Sequence, residues 1–161
     1  MSSDFNKDAL LRSAKRINVS YFKEQQEDAI NAIWQWWQSQ SISFTLSGYA
    51  GTGKTFIMRH LVRYLIVEKV CVTAPTHKAL RVLENSSGKK GMTIQSLCGL
   101  RPDVDIEDYN IENPSFKVIG EQKMRDYRLV IIDECSMINP GLFNLLIKTA
   151  IQCRCKLLFL G

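Results

Sequence analysis

Eight residues constrain this chain more than any others: Gly48-Tyr49-Ala50-Gly51-Thr52-Gly53-Lys54-Thr55. They match G-x-x-x-x-G-K-[ST], the phosphate-binding loop or Walker A motif. The flanks suit it. Ile42-Ser43-Phe44-Thr45-Leu46 is a β-favouring apolar run leading in, and Phe56 to Val62 has helical spacing leading out. Glycines remove the Cβ barrier, so successive backbone N–H groups can turn toward one anion. A helix starting near Gly53 aims its positive dipole end at the same place. Gly48, Ala50, Gly51, Thr52 and Gly53 are therefore the candidate cradle. Lys54 is the candidate counter-charge for the β- and γ-phosphates, and the Thr55 hydroxyl a candidate Mg²⁺ ligand. The plainer alternative is a glycine-rich turn with a surface lysine.

Composition narrows the class. At 161 residues and 45% hydrophobic, the chain can bury one good core. No apolar run approaches the roughly 20 residues of a membrane span. Met1 to Phe5 shows no basic region leading into an apolar one, so a cytoplasmic protein without a membrane partner is expected. The five cysteines read as reduced thiols. Cys153-Arg154-Cys155 is the only close pair, and nothing beside it completes a zinc set. A net charge of +5 is a mild bias toward polyanions.

Along the chain, residues 1–21 read as a polar extension, with a short helix from Asp8 to Ile17. A helix from about Lys23 to Gln38 carries Ile30, Ile33, Trp34 and Trp37 on one stripe, most simply a core face. Gln26 lies one turn before Ile30. Its amide offers a donor and an acceptor suited to an adenine edge, although a solvated glutamine is the simpler reading. Lys69 to Ala74 reads as a buried strand stopped by Pro75, with Thr76 as N-cap of a helix to about Asn85. Ser86 to Gly91 is a turn-rich basic loop, and Thr93 caps a short helix. Residues 100–124 break the pattern and read as an inserted β-hairpin. Arg128 to Ile132 is a continuous apolar run, the mark of a parallel strand buried on both faces. Asn139-Pro140 opens a helix with Leu142, Leu145, Leu146 and Thr149 inward, and Lys156 to Leu160 is a last strand. The alternation predicts an α/β fold, a parallel sheet flanked by helices.

Asp133-Glu134 at the end of the apolar strand supplies a second half to the site. An acid on a strand beside the phosphate loop can hold Mg²⁺, and a second can orient and deprotonate a water. Asp133 is the candidate metal residue. Lys54 and Glu134 are the candidate catalytic residues.

Gln26, Gly48 to Thr55, Ala74-Pro75-Thr76-His77-Lys78-Ala79, Thr93-Ile94-Gln95-Ser96-Leu97 and Ile132-Asp133-Glu134-Cys135-Ser136-Met137 stand in one order. Together they resemble the Q motif and motifs I, Ia, Ib and II of superfamily 1 DNA helicases, nearest the Dda and RecD-like branch. The resemblance runs from about Phe22 to Gly161. It implies a RecA-like P-loop NTPase domain with ATP and Mg²⁺ as cofactors, Gln26 on adenine, and translocation on single-stranded DNA, 5′ to 3′. Pro75, Thr76, His77 and Lys78, with Thr93 and Gln95, would line the DNA. The 100–124 segment matches a strand-separating pin, with Pro102 and Phe116 placed to wedge against bases. Gln95 departs from the histidine common in this branch. The resemblance also implies a second RecA-like domain after Gly161, which would supply arginines to the ATP site. The 161-residue chain alone is then expected to be monomeric and to hydrolyse little ATP. Two other classes remain open: a stand-alone P-loop kinase or NTPase, with 100–124 as lid, and a non-catalytic nucleotide-gated binding module.

Overall fold

A computed structural model describes residues 24–49, 51–64, 69–102, 116–118 and 120–161. The expected Asp8 to Ile17 helix lies outside them, as does Ala50. In chain order the elements are α1 (Glu24–Gln38), β1 (Ser43–Leu46), α2 (Lys54–Tyr64), β2 (Val70–Ala74), α3 (His77–Ser87), β3 (Met92–Thr93), α4 (Ile94–Cys98), β4 (Leu100–Pro102) and β5 (Phe116–Val118). Then come β6 (Leu129–Ile132), α5 (Pro140–Cys153) and β7 (Lys156–Leu160), with 3₁₀ turns at Lys123–Asp126 and Cys135–Met137.

Five strands pair in parallel in the order β1-β7-β6-β2-β3. β6 is buried at every position, as its unbroken apolar run requires. Side-chain alternation sorts the core into two layers. Val72, Ile131, Leu158 and Leu160 pack with α1, α2 and Leu83 of α3. Cys71, Val130, Ile132, Leu157 and Phe159 pack with α4, α5 and Met124. β4 and β5 form a separate antiparallel pair, with Pro102 opposite Phe116.

The caps explain the boundaries. Thr76 and Thr93 each accept a hydrogen bond at 3.2 Å, from the N–H groups of Ala79 and Ser96. Asn139 accepts from Leu142 N–H at 2.8 Å, with Pro140 in the first turn. Gly88 closes α3 at φ 68°, and its N–H reaches Glu84 O. The α1 stripe packs on the core as expected through Ile30, Ile33 and Trp37, with Trp34 half-buried against it; Trp36 is buried as well, tilted against Phe44 at 5.7 Å. On α5, Leu145 is likewise half-buried and Ala150 takes the inner place. Among the described residues no helix is long and apolar enough to cross a membrane. All five cysteines are unpaired. Burial pushes the Cys71 thiol up to about 11, and those of Cys98 and Cys155 to about 12.

α1 has no basic residue in its last turn, so its terminal carbonyls lack a local counter-charge. β7 provides one. Lys156 Nζ donates to Trp36 O at 3.1 Å and to Ser39 O and Ser41 O at 2.8 Å. The ammonium also stands 5.0 Å from the Trp36 ring centroid. Desolvation holds its pKa below the usual 10.5. Lys156→Met keeps the stem and removes the donors. It should lower stability to urea by about 1–2 kcal/mol, since the freed carbonyls are partly rewetted. An unchanged urea midpoint would show that the three bonds contribute nothing net.

Candidate functional site

In a parallel sheet every strand delivers its carboxyl end to the same edge, where doubly wound folds form their crevice. Here that edge collects the phosphate loop after β1, α3 after β2, α4 after β3, Asp133 and Glu134 after β6, and Gly161 after β7.

The phosphate loop is held open by two glycines at positive φ, Gly51 at 81° and Gly53 at 91°. A Cβ on Gly53 would fall 2.1 Å from Gln26 Nε2. Thr52 closes the turn, its hydroxyl donating to Tyr49 O at 2.8 Å. α2 then starts at Lys54 without an acid in its first turn, leaving its dipole end uncompensated. Lys54 Nζ folds back to donate to Gly48 O, and to Tyr49 O at 3.2 Å. A phosphate is the natural competitor for that ammonium. Gln26 comes from the first turn of α1 and donates from Nε2 to Thr52 O at 3.2 Å. It therefore touches the loop backbone directly, a contact the sequence did not suggest.

The acids are placed differently from expectation. β6 is not beside β1; β7 lies between them. At roughly 4.8 Å per strand, the two halves start about 10 Å apart at the backbone. The turn after β6 narrows the gap. Asp133 N–H donates to Thr73 O at 3.0 Å, extending the β2–β6 ladder by one rung. Glu134 then adopts φ 53°, ψ 43°, the left-handed region, which is unusual for a residue other than glycine or asparagine. Its N–H donates to Asp133 Oδ1 at 3.0 Å, fixing that carboxylate, while Glu134 itself stands exposed. Cys135 lies between the halves. Burial raises its pKa; the Asp133 carboxylate adds to the rise and the Lys54 ammonium opposes it, so both charges lie within electrostatic reach of one thiol.

Gly161 lies between the halves, bonded through backbone to the loop side and in close approach to Cys135 on the acid side. Its N–H donates to Leu46 O at 3.1 Å and its carbonyl accepts from Gly48 N–H at 3.0 Å. A Cβ there would lie 2.6 Å from Cys135 Sγ. Neither contact had a sequence signal beyond the bare identity of a glycine.

The donor set fits a magnesium nucleotide. Thr55 and Asp133 offer hard oxygen ligands, and Gly51 and Gly53 leave the loop concave. Among the described residues no three His, Cys, Asp or Glu side chains cluster for a metal, so any Mg²⁺ would lean on the nucleotide's own oxygens.

The candidate DNA residues fall beside this site. Ala74 and Thr93 are register partners on adjacent parallel strands, so Pro75, Thr76, His77 and Lys78 start α3 next to where Thr93 and Gln95 start α4. His77 and Lys78 are exposed, Gln95 is half-buried and Thr93 is buried. Thr76 Oγ1 and Thr93 Oγ1 serve as caps, leaving their hydroxyl protons as donors. Pro102 and Phe116 sit across from each other in the β4–β5 pair rather than in the main sheet.

Comparisons with known proteins give the family of the chain. A family model described as an AAA domain matches residues 21–161. An ATP-dependent DNA helicase, Dda of Enterobacteria phage T4, is 33% identical over 129 residues, covering 78% of this chain and 28% of that protein. The ATP-dependent DNA helicase Pif1 of a Psychrobacter strain is 27% identical over 100 residues, covering 62% of this chain and 15% of that protein. The crystal structure of Pif1 helicase from Candida albicans superposes with a TM-score of 0.60 at 25% identity, covering 89% of this chain and 33% of that one. The chain thus spans about a quarter or less of the length of these curated relatives.

The Gly161 junction can be tested. Gly161→Ala should cost about 1–3 kcal/mol of stability by overpacking against Cys135. Cys135→Ala in the same protein should return most of that loss, a coupling readable in a double-mutant cycle of urea unfolding. Strictly additive effects would mean that the two sites do not press on each other.

Proposed function

We propose that this chain, which belongs to the AAA-domain family, is the first motor domain of an ATP-dependent DNA helicase. One observation carries the reading. A single sheet edge gathers a phosphate loop, an acid pair across β7, and two helix N-termini on neighbouring strands. An NTPase site and an anion-attracting track thus share one rigid support. The similarity to proteins named as DNA helicases supports the same reading. A stand-alone kinase would need its own acceptor pocket beside the loop, and the similarity to proteins named as DNA helicases does not favour that reading.

In this reading Gly48, Ala50, Gly51, Thr52 and Gly53 cradle the triphosphate with backbone N–H groups, and Lys54 turns from its loop carbonyls to the β- and γ-phosphates. Thr55 and Asp133 hold Mg²⁺, which supplies charge neutralisation at those phosphates. Glu134, set forward by its left-handed backbone, takes the proton of the attacking water. Gln26 meets the adenine edge. Because its amide already bonds Thr52 O, base recognition would be transmitted straight to the loop. Pro75, Thr76, His77, Lys78, Thr93 and Gln95 bind the phosphates of single-stranded DNA. The β4–β5 segment, with Pro102 and Phe116, serves as the strand-separating pin of an inserted unit at about 100–124. Relatives several times longer imply a second RecA-like domain. It would close the site with arginines, each worth roughly 10³–10⁵ in rate in related phosphoryl transfer. Translocation runs 5′ to 3′.

The test is DNA-stimulated ATP hydrolysis together with unwinding of tailed duplexes, using the whole protein. A 5′ tail should support unwinding and a 3′ tail should not. Lys54→Ala should abolish hydrolysis. Glu134→Gln should retain nucleotide and lower kcat by roughly 10²–10⁴. Phosphoryl transfer to a small acceptor, or full hydrolysis by Glu134→Gln, would overturn the assignment.

A further inference from the structure

The outward face of α3 carries a second basic surface, away from the sheet edge. Leu80 and Leu83 bury the inner side of this helix. Lys78, Arg81, Val82 and Asn85 recur at i, i+3, i+4 and i+7, directly opposite, and all four are exposed. Val82 is 63% exposed, a large apolar side chain in the middle of a charged face. Past the Gly88 cap the stripe continues into exposed Lys89 and Lys90. Arg59 of α2 joins it: Arg59, Asn85, Gly88 and Lys89 line one groove of about 500 Å³ between the two helices. At about 1.5 Å per residue, the run from Lys78 to Lys89 spans roughly 16 Å.

These cations lack partners. Among the described residues Arg59, Lys78, Arg81, Lys89 and Lys90 make no side-chain hydrogen bond or ion pair. The nearby acid, Glu84, is spent on the backbone, accepting from Gly91 N–H at 2.8 Å. The contrast with Lys156, which caps three carbonyls, is plain. A row of unpaired cations repels itself, and a polyanion laid along it relieves that repulsion while releasing counterions.

We propose that this face is an additional nucleic-acid contact: the strand bound at the α3 N-terminus continues along Lys78, Arg81 and Asn85 to the Arg59–Lys89 groove and the adjoining Lys90, with Val82 against its sugars. The proposal rests on the DNA-binding reading above, and extends it to a surface that none of the motif residues except Lys78 touches. Apart from the Asn85 amide, the side chains of this face are donor-only lysines and arginines or the apolar Val82. The contact is therefore to phosphate and independent of sequence.

The test is anisotropy titration of the whole protein with a short single-stranded oligonucleotide, covering only the α3 and α4 N-termini, and a much longer one. The variant combines Arg59→Ala, Arg81→Ala, Lys89→Ala and Lys90→Ala. All four side chains are exposed, so thermal unfolding and nucleotide binding should match the unsubstituted protein. The variant should bind the short strand normally and lose the extra affinity for the long one. Its slope of log K against log salt should fall by about 0.7 per lost contact, roughly two to three in all. A companion protein with Arg59→Lys and Arg81→Lys should keep the original slope. Equal slopes and equal length dependence in variant and parent would overturn the proposal while leaving the DNA-binding reading intact. A parent that binds neither oligonucleotide would overturn both. An acidic protein captured by this face, with DNA binding unaffected, would also overturn it.

Discussion

The site depends on one spacing, set by β7. This strand lies between the strand that leads into the phosphate loop and the strand that ends in the acids. Its carboxyl-terminal glycine bonds Leu46 and Gly48 on one side and faces Cys135 on the other. Loop and acids therefore do not touch each other through their own strands. They are held at a fixed separation by a third strand whose residues Leu157 to Leu160 are buried. Any shift of β7 along its neighbours would change that separation. The same buried strand provides Lys156 at its other end, where it ties down the last turn of α1. α1 in turn carries Gln26 to the loop. One strand thus places three parts of the site: the loop, the acids and the glutamine.

Unfavourable local structure is present at the same edge. Glu134 occupies the left-handed region without being glycine. Thr73 Oγ1 is fully buried and lacks a hydrogen-bond partner, one residue from the end of β2 and beside the Asp133 backbone. Each such feature costs of order 1–3 kcal/mol. The opposite edge carries unfavourable features of its own: Arg154 is left-handed at φ 54° and Trp36 Nε1 is buried without a hydrogen-bond partner, although Arg128 and Lys156 continue the ladder through Lys69 O and Arg128 O. At the motif edge these features fall on the candidate acids themselves, at Glu134 and beside the Asp133 backbone.

Much of the frame was legible in sequence because its signals are local. Thr76, Thr93 and Asn139 announce helix starts through short polar side chains ahead of apolar periodicity, and all three cap as expected. The continuous apolar run of β6 identifies burial on both faces. What was not legible is non-local. The insertion of β7 between β1 and β6 depends on crossover order, which no window of residues encodes. β3 is two residues long and forms only because Gly91 lets the chain pass the β2 backbone, where a Cβ would lie 2.3 Å from Val72 O. Trp36 lies off the predicted stripe and is buried all the same, tilted against Phe44. At the site, residue types were readable from the motifs. The left-handed turn at Glu134, the Gln26 contact with the loop and the role of Gly161 were not, since each is a backbone relation between distant segments.

The two populations of basic residues make a related point about net charge. Composition gave +5, which by itself is only a mild bias toward polyanions. In the fold the cations separate by what they face. At the amino end of β7, Lys156 meets the carbonyls that end α1, so its charge is engaged internally. Along α3 they meet only water, directly below a helix N-terminus that is itself positive. There the charge of the helix end and that of the side chains add instead of cancelling, and the carboxylate within reach is already committed to Gly91. A modest total therefore conceals a locally strong field, and the arrangement of the cations rather than their number determines where a polyanion is drawn.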